Sequence, residues 1–228
     1  MILAIDTSLG ALSACVLDPQ SDSIVSQETM VMERGYAEAL IPLLDRVMAE
    51  VPQGLSVLTR VCVAVGPGSF TGIRVGLSAA RAIALAGGLP VVGVSTLSAF
   101  AAPVILSGQE GITIAAIDAR QGRVYATAFG QGGRPLFEPR MATAREIIRA
   151  VGSGPLAIVG SAAPALAIEA WSSGVTAEVQ GQTSAPDIAW VARLGLVADP
   201  ALAPARPLYM RGADVKPAGA PLIAHAPA

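Results

Sequence analysis

Apolar residues along this chain fall into two rhythms. Short uninterrupted runs at 2–5, 12–17, 60–65, 91–94, 112–117, 124–129 and 156–159 read as buried strands. Stretches with apolar positions three and four apart read as helices. Over 36–51 the residues Ala37, Leu40, Ile41, Leu44, Val47, Met48 and Val51 share one stripe, with Pro42 near its start and Pro52 and Gly54 at its end. A second helix spans about 72–86, with Ser69 and Thr71 as candidate caps. Ser95 opens a helix to about 106, bent or ended by Pro103. Thr143 with Glu146 three residues on is a capping box opening a helix to 151. Shorter helices follow at 165–171 and from 184–187 to 198, and 24–32, 135–138, 177–180 and 207–211 are extended pieces. The uncharged stretch 82–109 is long enough for a membrane span, but Gly87-Gly88-Leu89-Pro90 and Ser95-Thr96 break it into helix end, strand and new helix.

Two hairpins share a design. Asp6-Thr7-Ser8-Leu9-Gly10 joins the strands 2–5 and 12–17; Asp118-Ala119-Arg120-Gln121-Gly122 joins 112–117 and 124–129. Ile-Asp, a Gly four residues after the Asp, and an Ala four beyond that coincide, which points to duplication. The chain therefore divides near 107–111 into lobes 1–106 and 107–228, each an Asp-turn hairpin followed by alternating helices and strands. That is the α/β pattern of two duplicated lobes required by an actin-like ATPase (ASKHA, RNase H-like) fold. In that fold the two Asp turns face each other across a cleft and handle phosphate and its metal. Asp6, Thr7, Ser8 and Asp118 are accordingly the candidate nucleotide or phosphate residues, with ATP or ADP and Mg as candidate cofactors at the cleft or at a partner interface. Against that stands the plainer reading that both Asp residues brace their turns, since these turns show too few phosphate-binding groups for a working ATPase. Gly160-Ser161-Ala162 reads as a strand-to-helix turn, with approach to an adenine as the alternative.

Between the lobes' hairpins lies the most distinctive stretch. Gly66-Pro67-Gly68-Ser69 turns the chain from strand to helix like a phosphate cradle, but no Lys follows its last Gly. One face of the following helix carries Gly72, Gly76, Ala79, Ala80 and Ile83, a spacing that lets another helix approach closely. Together with the 36–51 stripe it predicts a docking surface of Glu38, Leu40, Ile41, Leu44, Phe70, Ile73, Arg74, Gly76, Leu77, Ala80 and Arg81, with Arg74 and Arg81 as a polar rim. On this reading Gly76→Leu abolishes partner binding and leaves the protein folded. Without a partner the same surface pairs two copies about a two-fold axis.

Composition narrows the chemistry. Hydrophobic residues make up 53% and charged residues 14%, enough for a sizeable core, and aromatics at 4% leave that core to Ala, Val, Leu and Ile. A net charge of −2 argues against holding nucleic acid through a broad basic surface. Arg120, Arg123, Arg134, Arg140, Arg145 and Arg149 bias the second lobe basic, as solvated surface or modest phosphate contacts. Cys15 and Cys62 sit in apolar runs, without C-x-x-C spacing, as small buried hydrophobes of a reducing cytosol. The one His, His225, lies three residues from the end, so a His-metal site is excluded and no metal ligands or catalytic residues are assigned. Nothing at the start resembles a signal peptide, and a cytoplasmic protein is expected.

Four motifs carry a resemblance across almost the whole length: Ile2-Leu3-Ala4-Ile5-Asp6-Thr7-Ser8, the very specific Gly66-Pro67-Gly68-Ser69-Phe70-Thr71-Gly72-Ile73-Arg74, Ile117-Asp118-Ala119-Arg120 with Val124-Tyr125, and Pro207-Leu208-Tyr209-Met210-Arg211. Together they resemble the TsaB (YeaZ) family. The resemblance implies an actin-like fold and a non-catalytic scaffold or activator role beside a TsaD-type metalloenzyme. That complex moves threonylcarbamoyl from threonylcarbamoyl-AMP to N6 of the tRNA adenosine next to the anticodon. A TsaE-type ATPase joins, and tRNA is met only through the complex. Where the family often reads His-Ser-Glu, this chain has Tyr36-Ala37-Glu38. The competing reading of the residues is a free-standing actin-like ATPase or small-molecule kinase using Asp6 and Asp118.

Overall fold

The computed structural model describes residues 1–181 and 183–210. Arg211, Lys216 and His225 lie outside the described residues.

Strands β1 (Ile2–Asp6), β2 (Ala11–Asp18) and β3 (Ser23–Val31) form an antiparallel meander. Helix α1 (Tyr36–Ala49) leads to β4 (Arg60–Gly66), which pairs with β1 in parallel. Helix α2 (Phe70–Gly87), strand β5 (Val91–Ser95), parallel to β4, and helix α3 (Thr96–Leu106) complete the first unit. The second half repeats it: β6 (Ile112–Asp118), β7 (Arg123–Phe129), β8 (Pro135–Thr143), α4 (Ala144–Val151), β9 (Leu156–Val159), α5 (Ala163–Ser172), β10 (Ala177–Val179) and α6 (Ile188–Val197). The sheets run β3-β2-β1-β4-β5 and β8-β7-β6-β9-β10. Matching strands keep matching directions, β6 antiparallel to β7 and parallel to β9. The duplication inferred from two Asp turns therefore extends through every element.

Both faces of each sheet are covered, which is why the central strands are continuous apolar runs. Leu3 and Ile5 of β1 face α1 and α2 with Leu40, Leu43, Ile73 and Leu77; Ile2 and Ala4 face the other way, onto α6 with Ile188, Val191 and Ala192. Helix α3 sends Leu97, Phe100, Ala101 and Val104 onto Ala115 and Ile117 of β6. The third helix of each repeat thus lies against the other repeat's sheet, and α3 and α6 meet between the two sheets. The closeness of α6 depends on Gly195, where a Cβ would stand 2.2 Å from Cys62 Sγ. Cys15 and Cys62 are free and buried, as expected, and burial pushes both thiols up to about 12. Among the described residues no helix is long and apolar enough to cross a membrane.

Several boundaries differ from the sequence expectation for local reasons. Helix α2 begins at Phe70 because Ser69, not Thr71, is the cap, its hydroxyl accepting from the Gly72 amide. The 135–138 piece continues to Thr143 because β8 pairs with β7 along that length. The capping box of Thr143 and Glu146 forms as expected.

Candidate docking site between α1 and α2

The site is organised by the Asp6 turn and the loop that packs on it. Asp6 Oδ1 accepts from the Ser8 amide at 2.7 Å, and Asp118 Oδ1 accepts from the Arg120 amide at 2.8 Å. Both carboxylates therefore close the same turn, in which an Asp side chain captures the amide two residues on. The loop after β4 docks on the first turn: Ser69 N–H donates to Ser8 O at 2.6 Å. The Thr7 hydroxyl then inserts against α2, donating to Gly72 O at 2.6 Å and accepting from Gly76 N–H at 3.1 Å. These two groups are an i, i+4 pair, so the hydroxyl bridges one rung of the helix's own ladder. Only glycine permits that approach. A Cβ would stand 2.0 Å from Ser8 O at position 68, 2.0 Å from Thr7 O at position 72 and 2.4 Å from Thr7 Oγ1 at position 76.

This corrects the expected docking surface. Gly72, Gly76 and Ala80 of the small-residue face of α2 are spent on the chain's own Asp6 turn and sheet, and Ala79 is left at the open side. Ile73, Gly76, Leu77 and Ala80 are buried, as are Leu40 and Leu44 of α1. Arg81 is not a rim: its guanidinium donates to Ala205 O and holds the C-terminal segment. Glu38 is exposed in the first turn of α1.

The turns do not fit a magnesium-nucleotide. Asp6 is 1% exposed, its Oδ1 is taken by Ser8, and Oδ2 is buried without a hydrogen-bond partner among the described residues. Ser8 is buried with its hydroxyl 3.0 Å from that of Thr96, and Thr7 is committed to α2. Asp118 is exposed. Burial raises the Asp6 carboxyl above the ordinary carboxylate value, against the opposing hydrogen bonds from Ser8. A carboxyl raised in the folded state contributes stability that is full below the unfolded value, about 4, and lost as pH rises through the folded value. Asp6→Asn is therefore expected to raise Tm at pH 7 by about 2–4 °C, the shift that ~1 kcal/mol gives in a chain of this size. The difference from the unaltered protein should shrink as pH falls toward 4, as thermal melts across that range would show.

What remains open to solvent is a groove between α1 and α2, a cavity of about 440 Å³ lined mainly by apolar groups of Ala37, Ile41, Phe70, Arg74, Val75 and Ala79. Ile41 is 58% exposed and Phe70 36% exposed, both named in the expected docking set. Arg74 lies over the Phe70 ring, 3.7 Å from its centroid. Its Nε donates to Tyr209 Oη at 2.9 Å, and Tyr209 stacks on Phe70 at 5.1 Å. Of the sequence-predicted set, the structure brings Leu40, Ile41, Phe70 and Arg74 together here. Sequence reasoning missed Val75 and Tyr209; Ala37 lay on the stripe without being named in the docking set, and the motif that holds Tyr209 pointed to a family without placing the residue here. At the head of α1 the buried Tyr36 ring sends its hydroxyl to the carbonyls of Leu9 and Met32, fixing that helix to the hairpin.

A second cavity, about 420 Å³, opens between the two sheets and is lined by Thr29, Phe100, Pro103, Val159, Gln180 and Asp187 among others. Residues 180–181 and 183–187 of the same chain form one wall, anchored where Gly10 N–H donates to Ser184 O at 3.3 Å.

Comparison with known proteins places these features. Residues 24–160 match the family described as "TsaD: tRNA N6-adenosine threonylcarbamoyltransferase". The chain is 34% identical over 124 residues to the tRNA threonylcarbamoyladenosine biosynthesis protein TsaB of Haemophilus influenzae, covering 54% of this chain and 51% of that protein. The match thus spans about half the length of that curated relative. An uncharacterized protein of Mycobacterium tuberculosis is 32% identical over 216 residues, 95% of this chain and 94% of its own length. Among solved structures, YeaZ from Pseudomonas aeruginosa superposes with a TM-score of 0.73 at 22% identity, covering 91% of this chain and 98% of YeaZ, and so shares the α/β, actin-like fold.

Proposed function

Because the chain belongs to the TsaB (YeaZ) family, inside the wider TsaD family, we propose that it is the non-catalytic partner subunit of a TsaD-type enzyme. That enzyme transfers threonylcarbamoyl from threonylcarbamoyl-AMP to the exocyclic amine of a tRNA adenosine beside the anticodon. The α1/α2 groove is the docking surface, a TsaE-type ATPase joins the pair, tRNA is met through the assembled complex, and the work is done in the cytosol.

One observation carries this reading: an open apolar groove with Ile41 and Phe70 exposed, on a molecule whose Asp6 turn is closed to ligands. Exposed large apolar groups collected in one concavity mark a protein-binding surface. An Asp6 sealed from solvent and engaged by Ser8 does not support the kinase or ATPase alternative.

The test is reconstitution from purified parts. The chain, the TsaD-type subunit and the TsaE-type ATPase of the same organism are combined with tRNA, threonylcarbamoyl-AMP and ATP. Modified nucleoside is expected only when this chain and the TsaD-type subunit are both present, and the chain alone is expected neither to transfer the group nor to hydrolyse ATP. Undiminished modification without the chain, or ATP hydrolysis by the isolated chain that Asp6→Asn removes, overturns the proposal.

A further inference from the structure

The geometry points to Arg74 as the reader of a carboxylate on the partner, and to Tyr209 as the residue that aims it; this rests on the docking role proposed for the groove. Arg74 stands in the wall of an apolar groove, yet none of the three ion pairs among the described residues involves it. Its guanidinium is held at two points. One face covers the Phe70 ring, and Nε donates to the Tyr209 hydroxyl. With Nε taken, the Nη edge is the part of the fork that a carboxylate can take. An Arg so fixed loses little side-chain freedom on binding, and its bidentate bond to a carboxylate is among the strong polar contacts available to proteins.

Tyr209 reaches this position from far along the chain. The segment before it is tied to the first lobe at successive points: Gly93 N–H donates to Ala203 O, Arg81 to Ala205 O, and Leu208 N–H to Val65 O. Met210, the next residue, packs with Leu9 and Tyr125 against the core formed by α3 and the second sheet. The Tyr209 ring is thus held from both sides while remaining 43% exposed. Tyr209 is a positioning residue, acting through Arg74.

The occupant that fits is an amphipathic helix of the TsaD-type subunit, its apolar side set on Ile41, Val75 and Phe70 and an Asp or Glu facing Arg74. A second copy of this chain would have to supply that acid from α1, where Glu38 and Asp45 are exposed.

The experiment is calorimetric titration of the full chain with the TsaD-type subunit of the same organism, at low and high salt, with melts confirming that each variant is folded. Arg74→Ala is expected to weaken binding about 10- to 100-fold, within the range of central Arg anchors, and to flatten the salt dependence. Arg74→Lys should recover little, because an ammonium can neither stack flat nor fork. Tyr209→Phe keeps the ring and removes the acceptor; it should weaken binding about 3- to 10-fold alone and cause no further loss in the Arg74→Ala background. Additive losses would overturn the role given to Tyr209. Native affinity in Arg74→Ala, while Ile41→Arg fails to bind, would overturn this inference and leave the docking reading standing. Native affinity in Ile41→Arg as well, or no binding by the unaltered chain, would remove the docking reading and this inference with it. Losses confined to self-association of the chain would assign the groove to a second copy and overturn the partner named here.

Discussion

Gly76→Leu is expected to destabilise the fold by about 2–6 kcal/mol, with little soluble protein at 37 °C. A Cβ at this position meets Thr7 Oγ1 at 2.4 Å, and the Thr7 hydroxyl cannot retreat without giving up its bonds to Gly72 O and Gly76 N–H. Thr7 is 1% exposed, so no water replaces those bonds. The rest of a leucine side chain would be driven toward Val63, whose Cγ2 lies 3.6 Å from the added Cβ. Overpacking of a close-packed core costs about 1–3 kcal/mol, and leaving buried polar groups unpaired costs about 1–3 kcal/mol more. Urea titration of Gly76→Ala, which adds the Cβ alone, should give a lowered midpoint with the slope unchanged, locating the damage in the folded state. Full stability in Gly76→Leu with loss of partner binding would restore the reading drawn from spacing alone.

That reversal shows what a sequence can carry. Gly72, Gly76 and Ala80 announce that something approaches α2 closely, and that inference is right. Spacing does not say whether the close neighbour is a second molecule or the chain's own Asp6 turn, 69 residues earlier in the case of Gly76 and Thr7. Ile41 shows the complement: periodicity sets it on the same stripe as Leu40 and Leu44, and only the packing shows that those two are buried while Ile41 stays open. Local signals fared better. The capping box at Thr143, the cap at Ser69 and the two Asp turns each depend on residues within a few positions, so they are legible without a fold. The duplication was legible because both hairpins keep the same turn chemistry, and its consequences then appear in strand order throughout. The return of α6 to the first sheet, and the delivery of Tyr209 to Phe70 and Arg74, are long-range packing choices with no local mark.

The repeats also diverge instructively. Asp6 and Asp118 make the same turn, and the glycine after each parallel strand brings a loop onto its neighbour: Gly68 onto Ser8 O in the first repeat, Gly160 onto Ala116 O in the second. In the first repeat the helix that follows carries Thr71, Arg74 and Ser78 outward beside the groove. In the second, α5 exposes Ile168 and Trp171, and its Glu169 pairs with Arg145 of α4. One architecture thus yields an open groove between the first pair of helices and an ion-paired contact between the second.

Ile41→Arg is accordingly expected to disrupt docking, weakening association with the TsaD-type subunit by about 30- to 1000-fold, while leaving Tm within about 2 °C of the unaltered protein. The side chain at 41 is 58% exposed, so exchanging it touches little of the folded core, and exposed substitutions away from special features stay within about 0.5 kcal/mol. Bound, the same position lies between Ala37, Phe70 and Arg74 in a cavity of about 440 Å³ that a partner would dry. A guanidinium placed there must either be buried without a counter-charge or hold the partner away, and truncating or mismatching a central interface residue of this kind costs about 2–4 kcal/mol. Arg74 compounds the effect, because one partner carboxylate cannot satisfy two neighbouring cations and like charges repel across the drying groove. Size-exclusion chromatography of the mixed subunits, with melts of the isolated variant, separates the outcomes. A folded variant that elutes apart from its partner places the α1/α2 groove at the interface. A folded variant that still co-elutes moves the interface elsewhere, to the exposed Ile168 and Trp171 of α5 as the next apolar surface to test.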